Sequence, residues 1–318
     1  MESPTPTVFV SGATGNVGGV LATLLQVKYG WRVKASARRP EPPRAKVLAA
    51  TGVQVLSGDW DDLPSLAAAL SGCEKLFLCT ATHLEDPNLE KVQALNVINA
   101  ARYVGSIKQV VACTSVGLFD HHEGGDADAG NFHSPFFDKA MRAKRAAEQA
   151  VSANPAWHWT LLRPPVFMTN FLAPQVDWFY PGFRSSAVWR STMTPESRLA
   201  LILPIDIAKI AAAVLERPEE YHGRCMGVAA DLLTVQEMLE QLGGKTGRSY
   251  APHFMSDEEI EENRDSICFT VAEKSLRRMA DSIDLRELKC IVPDLTSFEA
   301  FLDLEEEAVI QTYNATPK

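Results

Sequence analysis

The sequence predicts an α/β fold, a doubly wound parallel sheet with a smaller C-terminal α/β lobe, and three observations carry that expectation. Short β-rich runs alternate with helix-patterned stretches through the first half, a glycine-spaced turn joins the first run to the first helix, and beyond about residue 155 the alternation loosens.

The runs "TVFVSG", "WRVKASA", "VQVLSG", "KLFLCTA" and "QVVACTS" are each followed by a stretch suited to a helix. Strands that alternate with helices pair in parallel and are covered on both faces. The connecting "VGGVLATLLQVKYG" and "NLEKVQALNVINAARYVG" repeat apolar residues near helical spacing and stop at Gly30 and Gly105. On this rhythm the strands are expected to lie in the sheet in chain order. Aromatic and proline-rich stretches follow, then helices over "IDIAKIAAAVLERP" and "TVQEMLEQLGGKTG" and an acidic C-terminal helix. The expected division is residues 1–155 and 156–318, with some later segments returning to the first domain.

Bulk properties narrow the function. A formal charge of −9 opposes binding to nucleic acid, which relies on Lys and Arg contacts to phosphate. No apolar run approaches the roughly 20 residues of a membrane-spanning helix, and the N-terminus lacks the layout of a secretory signal. A cytoplasmic protein with no membrane partner is therefore expected. The six cysteines are scattered without a Cys-x-x-Cys pair, so buried thiols are expected rather than a disulfide framework or a zinc site.

The strongest chemical signal is "VFVSGATGNVGGVLATLL". Gly12, Gly15 and Gly18 follow the first strand at three-residue spacing and open the first helix. Gly12 suits a tight turn, Gly15 a close backbone approach to a pyrophosphate, and Gly18 close packing of helix on strand. The helix N-terminus then offers free N–H groups to the phosphates. Residues 1–155 thus read as a dinucleotide-binding Rossmann domain and 156–318 as a substrate-binding lobe. The expected cofactor contacts on the turn are Gly12, Thr14, Gly15, Asn16, Val17 and Gly18.

The end of the second strand distinguishes the dinucleotide. An acidic residue there would take a ribose 2′-hydroxyl, but "VKASARRPEPPRAK" offers Arg38 and Arg39, with Arg44 and Lys46 beyond. A guanidinium fork matches a 2′-phosphate, so NADP(H) is expected; a basic surface loop is the alternative. Asp59, ending the third strand, either contacts the adenine edge or forms a polar turn.

With these stretches in view the chain resembles the NmrA-like atypical short-chain dehydrogenases. The resemblance rests on "GATGNVGG", "VKASARRP", "LSGDWDDLPSL", "KVQALNVINAARYVGSIKQVVACTS", "KRAAEQAVSANPAWHWTLLRPPVFMTNF" and "LPIDIAKIAAAVLERPEEYHGR". It implies an extended Rossmann core, NADP(H), and a substrate cleft between core and lobe. It leaves catalysis open, because the family holds both reductases and non-enzymatic cofactor sensors.

The stretch "FFDKAMRAKRAAEQAV" bears on that choice. At about 100° per residue, Phe136, Ala140, Ala143, Ala147 and Val151 share a core-facing stripe. Lys144 lies about 40° from Ala140, while Lys139 is about 100° off on the other side. Only Lys144 can lean into a cleft, unless it pairs with Glu148 at i+4. The resemblance implies that Lys144 holds the nicotinamide ribose hydroxyls and places positive charge near the reacting ring. The familiar short-chain dehydrogenases carry a tyrosine four residues before that lysine, where this chain has Ala140. Ser115 occupies the position at which extended relatives hydrogen-bond a substrate carbonyl, or else caps its strand. Thr80 is expected near the cofactor, without a catalytic role.

Hydride transfer needs no proton donor when the acceptor is electron-poor, such as an iminium, a conjugated enone or a carbocation-like dye. The aromatic stretch "FMTNFLAPQVDWFYPGFRSSAVW" either lines a pocket for such a substrate, through Phe167, Asn170, Phe171, Trp178 and Tyr180, or forms the lobe's core. The resulting expectation is an NADPH-dependent oxidoreductase acting on an apolar conjugated small molecule. The alternative is a cofactor-sensing regulator that docks on a partner protein. The loop with Asp120, His121, His122, Glu123, Asp126 and Asp128 fits neither zinc nor calcium spacing, so no metal is expected. His133, near its end, is expected on the surface.

Overall fold

The computed structural model describes residues 5–38, 43–121, 135–263 and 273–314. Its central feature is a seven-stranded sheet. Strands β1 (Thr7–Val10), β2 (Arg32–Ala37), β3 (Gln54–Ser57), β4 (Lys75–Cys79), β5 (Gln109–Cys113) and β6 (His158–Arg163) run in the order β3-β2-β1-β4-β5-β6, and Arg224–Gly227 joins beyond β6. Every pairing from β3 to β6 is parallel. The expected chain order is corrected here. The strands progress outward in one direction from β1 to β3, and the chain then crosses back to place β4 on the other side of β1. That reversal opens a crevice at the carboxyl ends of β1 and β4, where α/β sheets take their ligands.

Local sequence explains the helices that frame this crevice. Helix α1 (Asn16–Val27) follows the glycine turn. Helices α2 (Pro43–Ala50) and α3 (Leu63–Leu70) follow β2 and β3, and Asp62 caps α3 by accepting the Ser65 N–H. Helix α4 (Pro87–Val104) starts with Asp86 as cap and proline in its first position, and stops at Gly105 in the left-handed conformation (φ 66°). Helix α5 (Pro135–Ser152) buries Ala140, Ala143, Ala147 and Val151 of the stripe expected from spacing, and Met141 and Glu148 besides, whereas Phe136 is only half-buried. A shared core of Phe9, Leu66, Leu76, Val97, Ile98, Val110, Ala147 and Trp157 seals α3, α4 and α5 to the sheet.

The chain forms two compact units, each assembled from separate segments. The first holds residues 1–115, 139–163 and 204–226, and therefore the seven-stranded sheet. The second holds residues 116–138, 164–203 and 227–318, with a three-stranded and a two-stranded sheet.

The second unit is organised by aromatic packing. Phe171 stacks on Tyr180 (5.8 Å between centroids) and Trp189 (5.5 Å) and meets Phe298 edge-on (5.3 Å). Phe183 packs edge-on against the same Trp189 ring. Phe171 and Tyr180 are buried among these rings, as the core reading of the aromatic stretch has it.

A carboxyl group is buried in the same unit. Glu273 is 4% exposed, and burial pushes its pKa up to about 8 although its Oε2 accepts from Ser191 Oγ. Between the ordinary carboxylate value and about 8 the native state binds the extra proton, so this contribution is full at acid pH and is lost as pH rises through about 8. Glu273→Gln is therefore expected to flatten that fall, raising Tm at pH 9 by about 5 °C over the parent while changing little at pH 5. Thermal melts at the two pH values provide the check.

Candidate functional site

The site is built at the carboxyl ends of β1, β4 and β5. Ser11 follows β1 and ties it to β4: its Oγ donates to the Cys79 carbonyl (3.1 Å) and accepts the Cys79 N–H (2.7 Å). The next residue, Gly12, has φ +64°, and a Cβ there would stand 2.7 Å from the Cys79 carbonyl oxygen. Only glycine fits that turn. A Cβ on Gly18 would stand 2.5 Å from the Gly12 carbonyl oxygen, so the first turn of α1 lies directly against the loop. Gly15 caps α1 without a side-chain hydrogen bond, and no acidic residue occupies its first turn. Its leading N–H groups thus remain for an anion.

Basic residues follow β2. Arg38 is exposed at the end of the strand. Arg44, set beyond the pair read from the sequence, reaches back to the turn: its Nη1 donates to the Thr14 carbonyl (3.3 Å) and to Asn16 Oδ1 (3.5 Å). The sequence reading named Arg44 with Lys46 only as lying beyond the Arg38–Arg39 pair; the first turn of α2 brings it to the glycine turn. Asp59 accepts the Asp61 N–H (3.2 Å), forming the polar turn weighed as one of its two readings, and is half-buried. The Arg39 side chain and those of Asp120–His133 lie outside the described residues.

The ammonium group of Lys144 lies at the same end of the sheet. Lys139 is exposed, but the Lys144 side chain is only 11% exposed. Its expected alternative partner, Glu148, is taken: Glu148 accepts from Arg163 Nε (2.9 Å) and Nη2 (2.6 Å) and from Thr114 Oγ1 (2.6 Å). The helical ion pair is therefore corrected. Lys144 donates instead to Glu90 Oε1 of α4 at 2.5 Å. Glu90 also accepts from Thr80 Oγ1 (3.0 Å) and Thr82 Oγ1 (2.8 Å), and its side chain is 1% exposed. The ammonium and both hydroxyls form one polar cluster around the buried Glu90 carboxylate.

Glu90 escaped the sequence reading, although a signal existed. It lies on the same stripe as Pro87, Ala94, Val97, Ile98 and Ala101, all buried. An acid among apolar residues at helical spacing must find a partner in the interior.

Two thiols underlie the cluster. Cys79 and Cys113 are in register on β4 and β5. The Cys113 thiol bonds the Cys79 sulfur, and with nearby Lys144 this holds Cys79 below the ordinary thiol value. The same bond, with burial, pushes Cys113 well above it. Ser115, two residues past β5, is half-buried, and Ala140, one turn before Lys144, is 2% exposed. In the second unit, Phe167 and Asn170 are half-buried and Trp178 is 57% exposed.

Among the described residues, no helix is long and apolar enough to cross a membrane. The glycine turn, the uncapped N-terminus of α1 and the Arg44 guanidinium thus lie together at the carboxyl end of β1.

Known proteins resemble this chain in sequence and in fold. A reductase from Streptomyces griseus subsp. griseus, named for (4-alkanoyl-5-oxo-2,5-dihydrofuran-3-yl)methyl phosphate, is 31% identical over 76% of this chain and 74% of its own. The triphenylmethane reductase of Citrobacter sp., solved in complex with NADP(H), superposes with a TM-score of 0.70 at 23% identity, over 94% of this chain and 99% of that one. NmrA, a negative transcriptional regulator solved with NADP, gives 0.72 at 15% identity, over 96% and 98%. At such identities both structures speak for the fold. The sequence profile of the NmrA-like family matches residues 4–287, and the chain belongs to that family.

Proposed function

We propose that this chain is an NADPH-dependent oxidoreductase that passes hydride to a conjugated, electron-poor small molecule. The carrying observation is Lys144 fixed at the carboxyl edge of the sheet with Ala140, and no phenol, one turn before it. Gly12, Thr14, Gly15, Asn16, Val17 and Gly18 would cradle the pyrophosphate, with Arg38 and Arg44 on the 2′-phosphate. Arg39 and Asp59 are further candidates on the adenosine side, and Thr80 on the nicotinamide side. When bound, NADPH supplies the hydride. Of the three ammonium hydrogens of Lys144, Glu90 takes one; the other two are available to ribose hydroxyls, since no other acceptor bonds them among the described residues. Ser115 would donate to a carbonyl oxygen of the acceptor.

The relatives support this reading. The name of the Streptomyces reductase describes a ring double bond conjugated with two carbonyls, and the Citrobacter structure is of a reductase of triphenylmethane dyes holding NADP(H). The buried Ala140 also suits a sensor that binds the dinucleotide without turnover, as a regulator would. Absorbance at 340 nm separates the two. An enzyme oxidises NADPH only when a conjugated acceptor is added, whereas silence across cationic dyes, quinones and doubly activated alkenes, with the dinucleotide bound, would establish the sensor.

A further inference from the structure

The cluster around Lys144 carries a consequence for the acceptor. A lysine beside a nicotinamide ordinarily brings a net positive charge, which favours substrates that become alkoxides as they accept hydride. Here that charge is cancelled. Glu90 sits 2.5 Å from the ammonium, its side chain is 1% exposed, and hydroxyls of Thr80 and Thr82 donate to it as well. Two opposite charges at contact in a poorly solvated site act at a distance as a dipole and not as a cation.

We propose that Glu90 is the specificity-determining residue of the site: by neutralising Lys144 it selects acceptors that need no localised oxyanion. Such acceptors are of two kinds. A carbocation is neutralised by hydride: a new C–H bond forms at the cationic carbon, NADPH leaves as NADP+, and no proton is consumed. A doubly activated alkene takes hydride at carbon and spreads the resulting charge over two carbonyls before a solvent proton completes the product. A simple aldehyde concentrates the charge on one oxygen and must collect its proton there, so that aldehyde, NADPH and one proton give the alcohol and NADP+. This inference rests on the function proposed above and adds the residue that sets its substrate class.

The decisive variant is Glu90→Gln, which keeps the shape and one accepting oxygen but leaves the ammonium uncompensated. Its first readout involves no turnover. The oxidised nicotinamide ring is cationic and the reduced ring neutral, so an unmasked Lys144 should weaken NADP+ more than NADPH, raising the ratio of their dissociation constants about tenfold. The double variant Glu90→Gln/Lys144→Gln, neutral again, should return the ratio to the parent value. The second readout is a crossover in kcat/KM: Glu90→Gln should lose about tenfold on malachite green, a triarylmethane cation, and gain on 4-nitrobenzaldehyde. A packing role for Glu90 would lower both together.

The parent protein supplies a test free of any folding defect, since it should reduce malachite green far faster than 4-nitrobenzaldehyde. An unchanged dissociation-constant ratio in Glu90→Gln, parallel loss on both acceptors, or equal parent rates would overturn the assignment. Should the parent bind neither NADP+ nor NADPH, the proposed function itself falls. Binding with an unmoved ratio removes Glu90's role alone.

Discussion

Lys144→Met is expected to lower kcat/KM for the acceptor by about 10² to 10³-fold through lost positioning of the ribose, while NADPH binding falls far less, because the glycine turn and the arginines would hold the phosphates. The structure adds a stability cost that a surface lysine would not show. Removing the ammonium leaves Glu90 buried with only two hydroxyl partners, which costs on the order of 3 kcal/mol. Lys144→Met/Glu90→Gln should recover most of the lost Tm and none of the lost turnover. Parallel measurement of Tm, NADPH affinity and steady-state rate therefore separates folding from chemistry. Recovery of turnover in the double variant would show that Lys144 acts only through stability.

Arg163→Met should produce the largest loss of stability, about 3 to 5 kcal/mol, with no direct effect on dinucleotide contacts. Arg163 is fully buried at the end of β6 and meets Glu148 of α5 through two nitrogens, Nε at 2.9 Å and Nη2 at 2.6 Å. Truncation strands a carboxylate that is 3% exposed and keeps the Thr114 hydroxyl as a donor. Denaturant unfolding measures the loss. The pair Arg163→Met/Glu148→Leu should be far more stable than the single variant, since replacing both partners removes the unpaired charge along with its counterion.

These two ion pairs also show what the sequence conveyed and what it withheld. The glycine turn was legible because its constraint is local: Gly12 must adopt positive φ and Gly18 must lie against the loop, and both demands fall within a few residues of chain. The helical stripe of α5 was legible for the same reason, since Ala140, Ala143, Ala147 and Val151 follow from helical geometry alone. Partner choice was not local. Glu148 is one turn from Lys144 in sequence, yet β6 delivers Arg163 to it, and α4 delivers Glu90 to Lys144 from 54 residues away.

Strand order failed similarly. Each strand could be read from its own residues, but the reversal at β1 depends on which side of the sheet the chain crosses after α3. The aromatic stretch shows the limit of composition. Phe171 and Tyr180 are rings that suit a pocket or a core equally well, and their contacts with Trp189 and Phe298 come from distant parts of the chain.

Everything proposed for Lys144, Glu90 and the acceptor depends on the crevice at β1 and β4 accepting a phosphorylated dinucleotide. Calorimetric titration of the purified protein with NADPH and then NADH tests this most directly. The account requires saturable binding at one site per chain, with NADPH favoured by about tenfold or more through the guanidinium groups after β2. Binding of neither dinucleotide, or an equal or stronger response to NADH, would contradict it.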